Sequence, residues 1–150
     1  MTTSPLDPKS VMQIGIIVAD IEAASQAWAT MLGVPVPEIM ITDTAEKAQT
    51  EYQNASTPAR AKLAFFTLGP LSLELIEPIG EPSTWNDQLA AHGSSLHHIA
   101  FGVQGMAEHL SVLAEHGMPL IQRGEYEGGR YAYVDGVTQL GAIIELLEND

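Results

Sequence analysis

The chain contains no cysteine. That excludes disulfides, thiolate metal sites and cysteine nucleophiles, and leaves the redox surroundings open. Basic side chains are also scarce: 6 Lys and Arg stand against 19 Asp and Glu, a formal net charge of −13. A surface this acidic repels phosphate backbones, so no nucleic-acid partner is expected. No apolar run approaches the roughly 20 residues that a membrane helix needs, so no membrane partner is expected either. Residues 1–10 are polar, carry Pro5 and Pro8, and lack the basic-then-apolar order of a secretion signal. They read as a short frayed arm on a cytoplasmic protein. A serine hydrolase of the Gly-x-Ser-x-Gly type is set aside, because no such elbow occurs.

What is present is a globular composition, 45% hydrophobic and 17% charged, at the usual length for one domain. The chain also repeats itself. Gln13-Ile-Gly-Ile-Ile-Val18 and His98-Ile-Ala-Phe-Gly-Val103 are β-like runs that start 85 residues apart. A helical pattern follows each. Ile21, Ala24, Trp28, Met31 and Leu32 share one face of the first, with Asp20 as N-cap and Gly33 as stop. Met106, Leu110 and Leu113 share a face of the second, which ends at Gly117. Matching phrases follow, Gly33-Val-Pro35 and Gly117-Met-Pro119, and each half closes on a similar strand, Leu73-Glu-Leu-Ile-Glu77 and Ile144-Glu-Leu-Leu-Glu148.

Each half therefore reads strand, helix, three strands. Strands are expected near 11–18, 36–42, 62–68 and 71–77, and again near 96–103, 119–123, 130–134 and 141–147. The polar stretch 43–60 reads as a mobile loop or lid, and Trp85 to His92 as a short helix ending at Gly93. A lone βαβββ unit leaves one sheet face bare, so two in tandem bury it together. The expectation is one α+β domain over 1–150, with module one at 11–79, module two at 95–148 and a linker at 80–94.

Alternation sorts Gln13, Gly15 and Ile17 onto one strand face and Ile14, Ile16 and Val18 onto the other. The repeat places His98, Ala100 and Gly102 against Ile99, Phe101 and Val103, with His97 in the bulky set. The face holding Gln13 and His98 has small neighbours, which leaves room for a cavity. Glu74 and Glu145 sit mid-strand among leucine and isoleucine, either on a solvated face or paired. Their recurrence at the matching point of both halves favours pairing, and a divalent cation relieves the repulsion of two buried carboxylates. Gln13, Glu74, His98 and Glu145 are thus the candidate ligands of one divalent ion per chain. That donor set suits Zn, Co, Ni, Mn or Fe and does not choose among them.

The phrases Gln13-Ile-Gly-Ile-Ile-Val, Leu71-Ser-Leu-Glu-Leu-Ile-Glu-Pro78, Leu96-His-His-Ile-Ala-Phe101 and Ala142-Ile-Ile-Glu-Leu-Leu-Glu148 resemble the vicinal oxygen chelate (glyoxalase/bleomycin resistance/dioxygenase) superfamily. The His-His-Ile-Ala-Phe segment is most similar to methylmalonyl-CoA epimerases, and the Gln/Glu/His/Glu set to glyoxalase I (lactoylglutathione lyase). The resemblance implies tandem βαβββ modules forming an open, partly closed β-barrel around the metal, commonly in a homodimer. It implies an isomerase or epimerase that removes a proton next to a carbonyl or thioester of a small-molecule substrate, an acyl-CoA thioester or a hemithioacetal. By likeness to glyoxalase I, Glu145 is the base, with Glu74 as ligand and second base. The alternatives are a lactoylglutathione lyase and a metal-free, resistance-type binding protein. An extradiol dioxygenase needs two His and a carboxylate, and Gln13 takes one of those places.

The chain departs from both relatives. Epimerases carry His where Gln13 stands, and an acyl-CoA site calls for basic groups. Only Lys9, Lys47, Arg60, Lys62, Arg123 and Arg130 exist. Arg123 and Arg130 could meet the two carboxylates of glutathione. Tyr126, Arg130, Tyr131 and Tyr133 around Gly128-Gly129 form either an ordinary hairpin or a substrate-binding wall in which Arg130 holds an anionic group. Trp85 reads as a linker anchor, and His92, His109 and His116 as solvated.

Overall fold

The computed structural model describes residues 4–150. Ten strands form a single curled mixed sheet, a half-barrel, in the order 40–41, 60–68, 71–79, 11–17, 95–102, 143–149, 129–134, 120–126, 51–52 and 55–56. Module one supplies β1 (Val11–Ile17), β2 (Met40–Ile41), β5 (Arg60–Leu68) and β6 (Leu71–Ile79). Module two supplies β7 (Ser95–Gly102), β8 (Leu120–Tyr126), β9 (Gly129–Val134) and β10 (Ile143–Asn149). The two halves meet where β1 runs antiparallel to β7. Each of these strands also lies parallel to the last strand of its own half, β1 to β6 and β7 to β10.

The two helices that follow β1 and β7 cover the convex face. In α1 (Ile21–Leu32), the Asp20 carboxylate accepts from the Ala23 amide, and Gly33 at φ 68° closes the other end. Only a residue without a Cβ adopts that left-handed closure cheaply. Ile21, Ala24, Trp28 and Ala29 pack against Ile14, Ile16 and Val18, as the alternation predicts. The expected face runs one turn too far, because Met31 is 80% exposed and Leu32 is exposed beside it. In α4 (Met106–Glu115), Leu113 is fully buried, and Met106 and Leu110 flank it against Phe101, Val103 and Leu146.

The polar stretch is not an unstructured loop. It holds α2 (Ala45–Ala48), β3 (Glu51–Tyr52) and β4 (Ala55–Ser56), and β3 pairs with β8 of module two. Module one thus straps itself onto the far edge of module two. The Gln53 amide donates to the Ile121 carbonyl at 2.8 Å, and the Thr57 hydroxyl to the Pro82 carbonyl at 2.7 Å. Between the halves lies α3 (Thr84–His92), capped by the Ser83 hydroxyl, which accepts from the Asn86 amide at 2.9 Å. A short helix, α5 (Val137–Leu140), precedes β10.

The frayed-arm expectation fails from residue 4 onward, and residues 1–3 lie outside the described part. Leu6 packs against the Leu113 cluster, and His109 Nδ1 lies 2.8 Å from the Pro5 carbonyl. His109 is accordingly half-buried rather than solvated.

Candidate metal centre

Four adjacent strands at the middle of the sheet, β6, β1, β7 and β10, carry Glu74, Gln13, His98 and Glu145 respectively. Gly15 stands opposite both Glu74 and His98, and Ala100 opposite Glu145. In a flat sheet three strand spacings would hold the two glutamate backbones about 14 Å apart. Curling the sheet turns its concave face inward and brings the side chains together. His98 Nε2 lies 3.3 Å from Glu145 Oε1, 3.5 Å from Glu74 Oε1 and 3.3 Å from Gln13 Oε1. Gly15 makes this possible, since a Cβ there would fall 2.0 Å from His98 Cε1. The imidazole lies flat over the glycine.

The electrostatics are those of a site short of positive charge. Glu74, His98 and Glu145 are 8%, 2% and 4% exposed. Burial, and then the charge of Glu145, push Glu74 up to about 8. Burial alone would lower His98, but the charge and hydrogen bond of Glu145, with the charge of Glu74, raise it above the usual imidazole value. The Gln13 amide can turn either way. With nitrogen inward it donates to Glu74 at 3.3 Å and Glu145 at 3.1 Å; with oxygen inward it adds a third acceptor.

These residues fit a divalent ion. Three carboxylate or amide oxygens and one imidazole nitrogen converge, and Glu74, His98 and Glu145 offer ligand atoms within 4.8 Å of one another. Ligands at about 2.1 Å from one ion sit roughly 3.0–3.4 Å apart in tetrahedral or octahedral arrangements. The separations of 3.1–3.5 Å match that.

Residues 12–134 match the family described as Glyoxalase/Bleomycin resistance protein/Dioxygenase superfamily. The chain belongs to that superfamily. Its description spans enzymes and a resistance protein alike, so membership alone does not make this glyoxalase-superfamily chain an enzyme. It is 30% identical over 138 residues to the "Uncharacterized protein YqjC" of Bacillus subtilis, covering 90% of this chain and 89% of the relative. Hypothetical protein BH1468 of Bacillus halodurans shares the fold at a TM-score of 0.64 and 22% identity, over 93% and 94% of the two chains. Methylmalonyl-CoA epimerase of Mycobacterium tuberculosis shares it at 0.64 and 20%, over 100% and 93%. The Streptomyces coelicolor epimerase in complex with 2-nitronate-propionyl-CoA does so at 0.62 and 20%, over 93% and 96%. At such identities the likeness shows the glyoxalase-like fold.

A cavity of about 470 Å³ opens from the centre. Tyr131 and Tyr133 line it beside Glu145, and Tyr126 lines its outer part. Gln122 donates to the Tyr131 hydroxyl at 3.1 Å, and Asn149 accepts from Tyr126 at 2.7 Å. Arg130 does not join them. Alternation along β9 turns it to the opposite face, where it pairs with Glu148 at 2.8 Å and with Asp150. Arg130 therefore does not supply the expected anion contact in the cavity. Arg123 shares that outer groove with Arg130.

Two further residues escape the sequence reading. Trp85, the expected linker anchor, is 4% exposed and lines the cavity, with its indole donating to the Tyr133 hydroxyl at 3.1 Å. His97 was expected among the bulky residues under the helices. Instead, pairing skips from Ile16–Leu96 to Gly15–His98, so His97 is the extra residue of a bulge and lies beside His98. His97 Nδ1 is 2.9 Å from His98 Nδ1, and its Nε2 is 3.2 Å from the Thr84 hydroxyl. Burial and the His98 charge hold His97 well below the usual imidazole range, so it is neutral. With His97 neutral, the tautomer protonated on Nε2 would donate to the Thr84 hydroxyl and accept from His98 Nδ1–H. In that arrangement His98 would turn Nε2 toward the glutamates as a ligand.

Proposed function

We propose that this chain is a divalent-metal-dependent isomerase of the epimerase type, abstracting a proton from carbon next to a carbonyl or thioester. The observation that carries this reading is the buried Glu74–His98–Glu145 group, completed by Gln13, at the inner end of a largely apolar cavity. An ion held there by Gln13, Glu74, His98 and Glu145 would supply a Lewis acid, worth several kcal/mol in acidifying such a carbon.

The protein's own part is to place the base and shield it from water. Glu145 on β10 takes the proton at its carboxylate. The apolar walls of the cavity keep competing water away from it. Glu74 on β6 approaches from the other half of the sheet. A carboxylate from each half lets a proton taken on one side be replaced on the other, which epimerisation requires. The same proton abstraction, with the proton then delivered to the adjacent carbon, would serve a lyase of the glyoxalase I type.

The test is metal content followed by proton exchange. We expect about one Zn, Mn, Co or Ni ion per chain in protein purified without chelator, lost in Glu74→Ala/Glu145→Ala. Glu145→Gln should slow α-proton exchange by about a hundredfold or more. Exchange retained in that variant removes Glu145 from the base role. Failure to bind any metal sinks the enzyme reading and leaves a small-molecule binding protein.

A further inference from the structure

The cavity walls and rim differ sharply in character. Five of the nine aromatic residues, Phe65, Trp85, Tyr126, Tyr131 and Tyr133, line it, together with aliphatic side chains such as Leu63. The rim carries Asp43, Glu125 and Glu127, with Lys47 of α2 as the one cation among the lining residues. Every other basic residue is accounted for elsewhere. Lys9 lies in the 3-10 turn Pro8–Ser10, at the start of the chain. Arg60 donates twice to the Thr42 carbonyl, at 2.7 and 3.0 Å. Lys62 pairs with Glu77 at 3.5 Å, and Arg123 and Arg130 face the outer groove.

We propose that the substrate is a compact carbonyl acid with an apolar or aromatic body and a single carboxylate, and not a thioester of a polyphosphorylated carrier. This rests on the reading above in taking the substrate to be a carbonyl compound bound at the metal centre. A cavity of about 470 Å³ holds a molecule of that size, with aromatic faces to bury its body. Lys47 meets one carboxylate at the mouth. A carrier with several phosphates would leave through the same mouth and pass three carboxylates for one ammonium, on a chain of net charge −13. Like charges across an interface oppose both association and affinity. Among the described residues, no second basic side chain lines the opening to offset them.

Calorimetry on the Mn-loaded full chain tests this with phenylpyruvate, ketoisocaproate and methylmalonyl-CoA as probes. The two acids should bind at least about tenfold more tightly than the thioester at low salt, and Lys47→Glu should weaken them about fivefold with metal content unchanged. Asp43→Lys/Glu125→Lys/Glu127→Lys should tighten the thioester and leave metal content alone. Thioester binding equal to or tighter than that of both acids overturns the proposal, as does no binding of either acid. α-Proton exchange, followed on the same samples, separates this inference from the proposed function. Acids bound but never exchanged would sink the isomerase reading and keep the substrate class. A thioester bound tightly and exchanged would do the reverse.

Discussion

Gly15 has the most consequential side chain by having none. A methyl group there would sit 2.0–2.5 Å from three atoms of the His98 ring, so Gly15→Ala should displace the imidazole and cost most of the metal affinity. Metal titration of Gly15→Ala against wild type checks this, and unchanged affinity would mean the ring can shift without loss. His97 acts one step further out. Removing the partner of a ligating histidine typically weakens metal binding about tenfold to a hundredfold. His97→Ala should therefore fall between wild type and His98→Ala in affinity, and His97→Ala equal to wild type would show that the bulge histidine orients nothing. In α1, Ser25 is fully buried and its hydroxyl has no hydrogen-bond partner among the described residues. Ser25→Ala should raise stability by about 1 kcal/mol in urea melts, since it removes an unsatisfied polar group.

Among the elements, what could be read from the sequence was whatever obeyed strict periodicity. Gln13, Gly15 and Ile17 do face inward, while Ile14, Ile16 and Val18 pack under α1. The same rule failed at His97, because a bulge puts two successive side chains on one face and leaves no local signature. Arg130 was a different kind of miss. Alternation against Tyr131 and Tyr133 places it on the far face, because closeness in sequence along a strand is not closeness in space. Trp85 and the strap over residues 43–60 depend on contacts with module two, which no window of sequence contains. The strap is held to module two by the short β3–β8 pairing and the Gln53 to Ile121 bond, whereas β5 and β6 pair along nine residues. Hydrogen exchange should therefore be faster in 50–57 than in β5–β6, and should slow there when metal and a cavity ligand are added. Equal protection in strap and central strands would make it a fixed wall.

For the whole molecule, the buried cluster links metal binding to the pH dependence of stability. Without an ion, Glu74 titrates near 8 in the folded chain against an ordinary value of 4.5, so between those values the folded state holds a proton that the unfolded state has lost. Stability then falls as pH rises through that window. His98 acts in the same direction. Its folded pKa is raised by the two glutamates, and the stabilisation present below the ordinary imidazole value is lost as pH climbs through the higher one. The metal-free protein should thus melt at progressively lower temperature from about pH 5 to pH 8. A divalent ion needs Glu74 ionised and His98 neutral, so its binding strengthens over that range and adds stability where the apo protein loses it. Thermal melts with chelator and with excess Mn should diverge as pH rises, and Glu74→Gln should flatten the chelator curve. Parallel curves at all pH values would mean that the four residues do not share an ion. Because the chain carries a net charge of −13, the series must be run at two salt concentrations. General self-repulsion is screened by salt, while the contribution of a buried cluster persists.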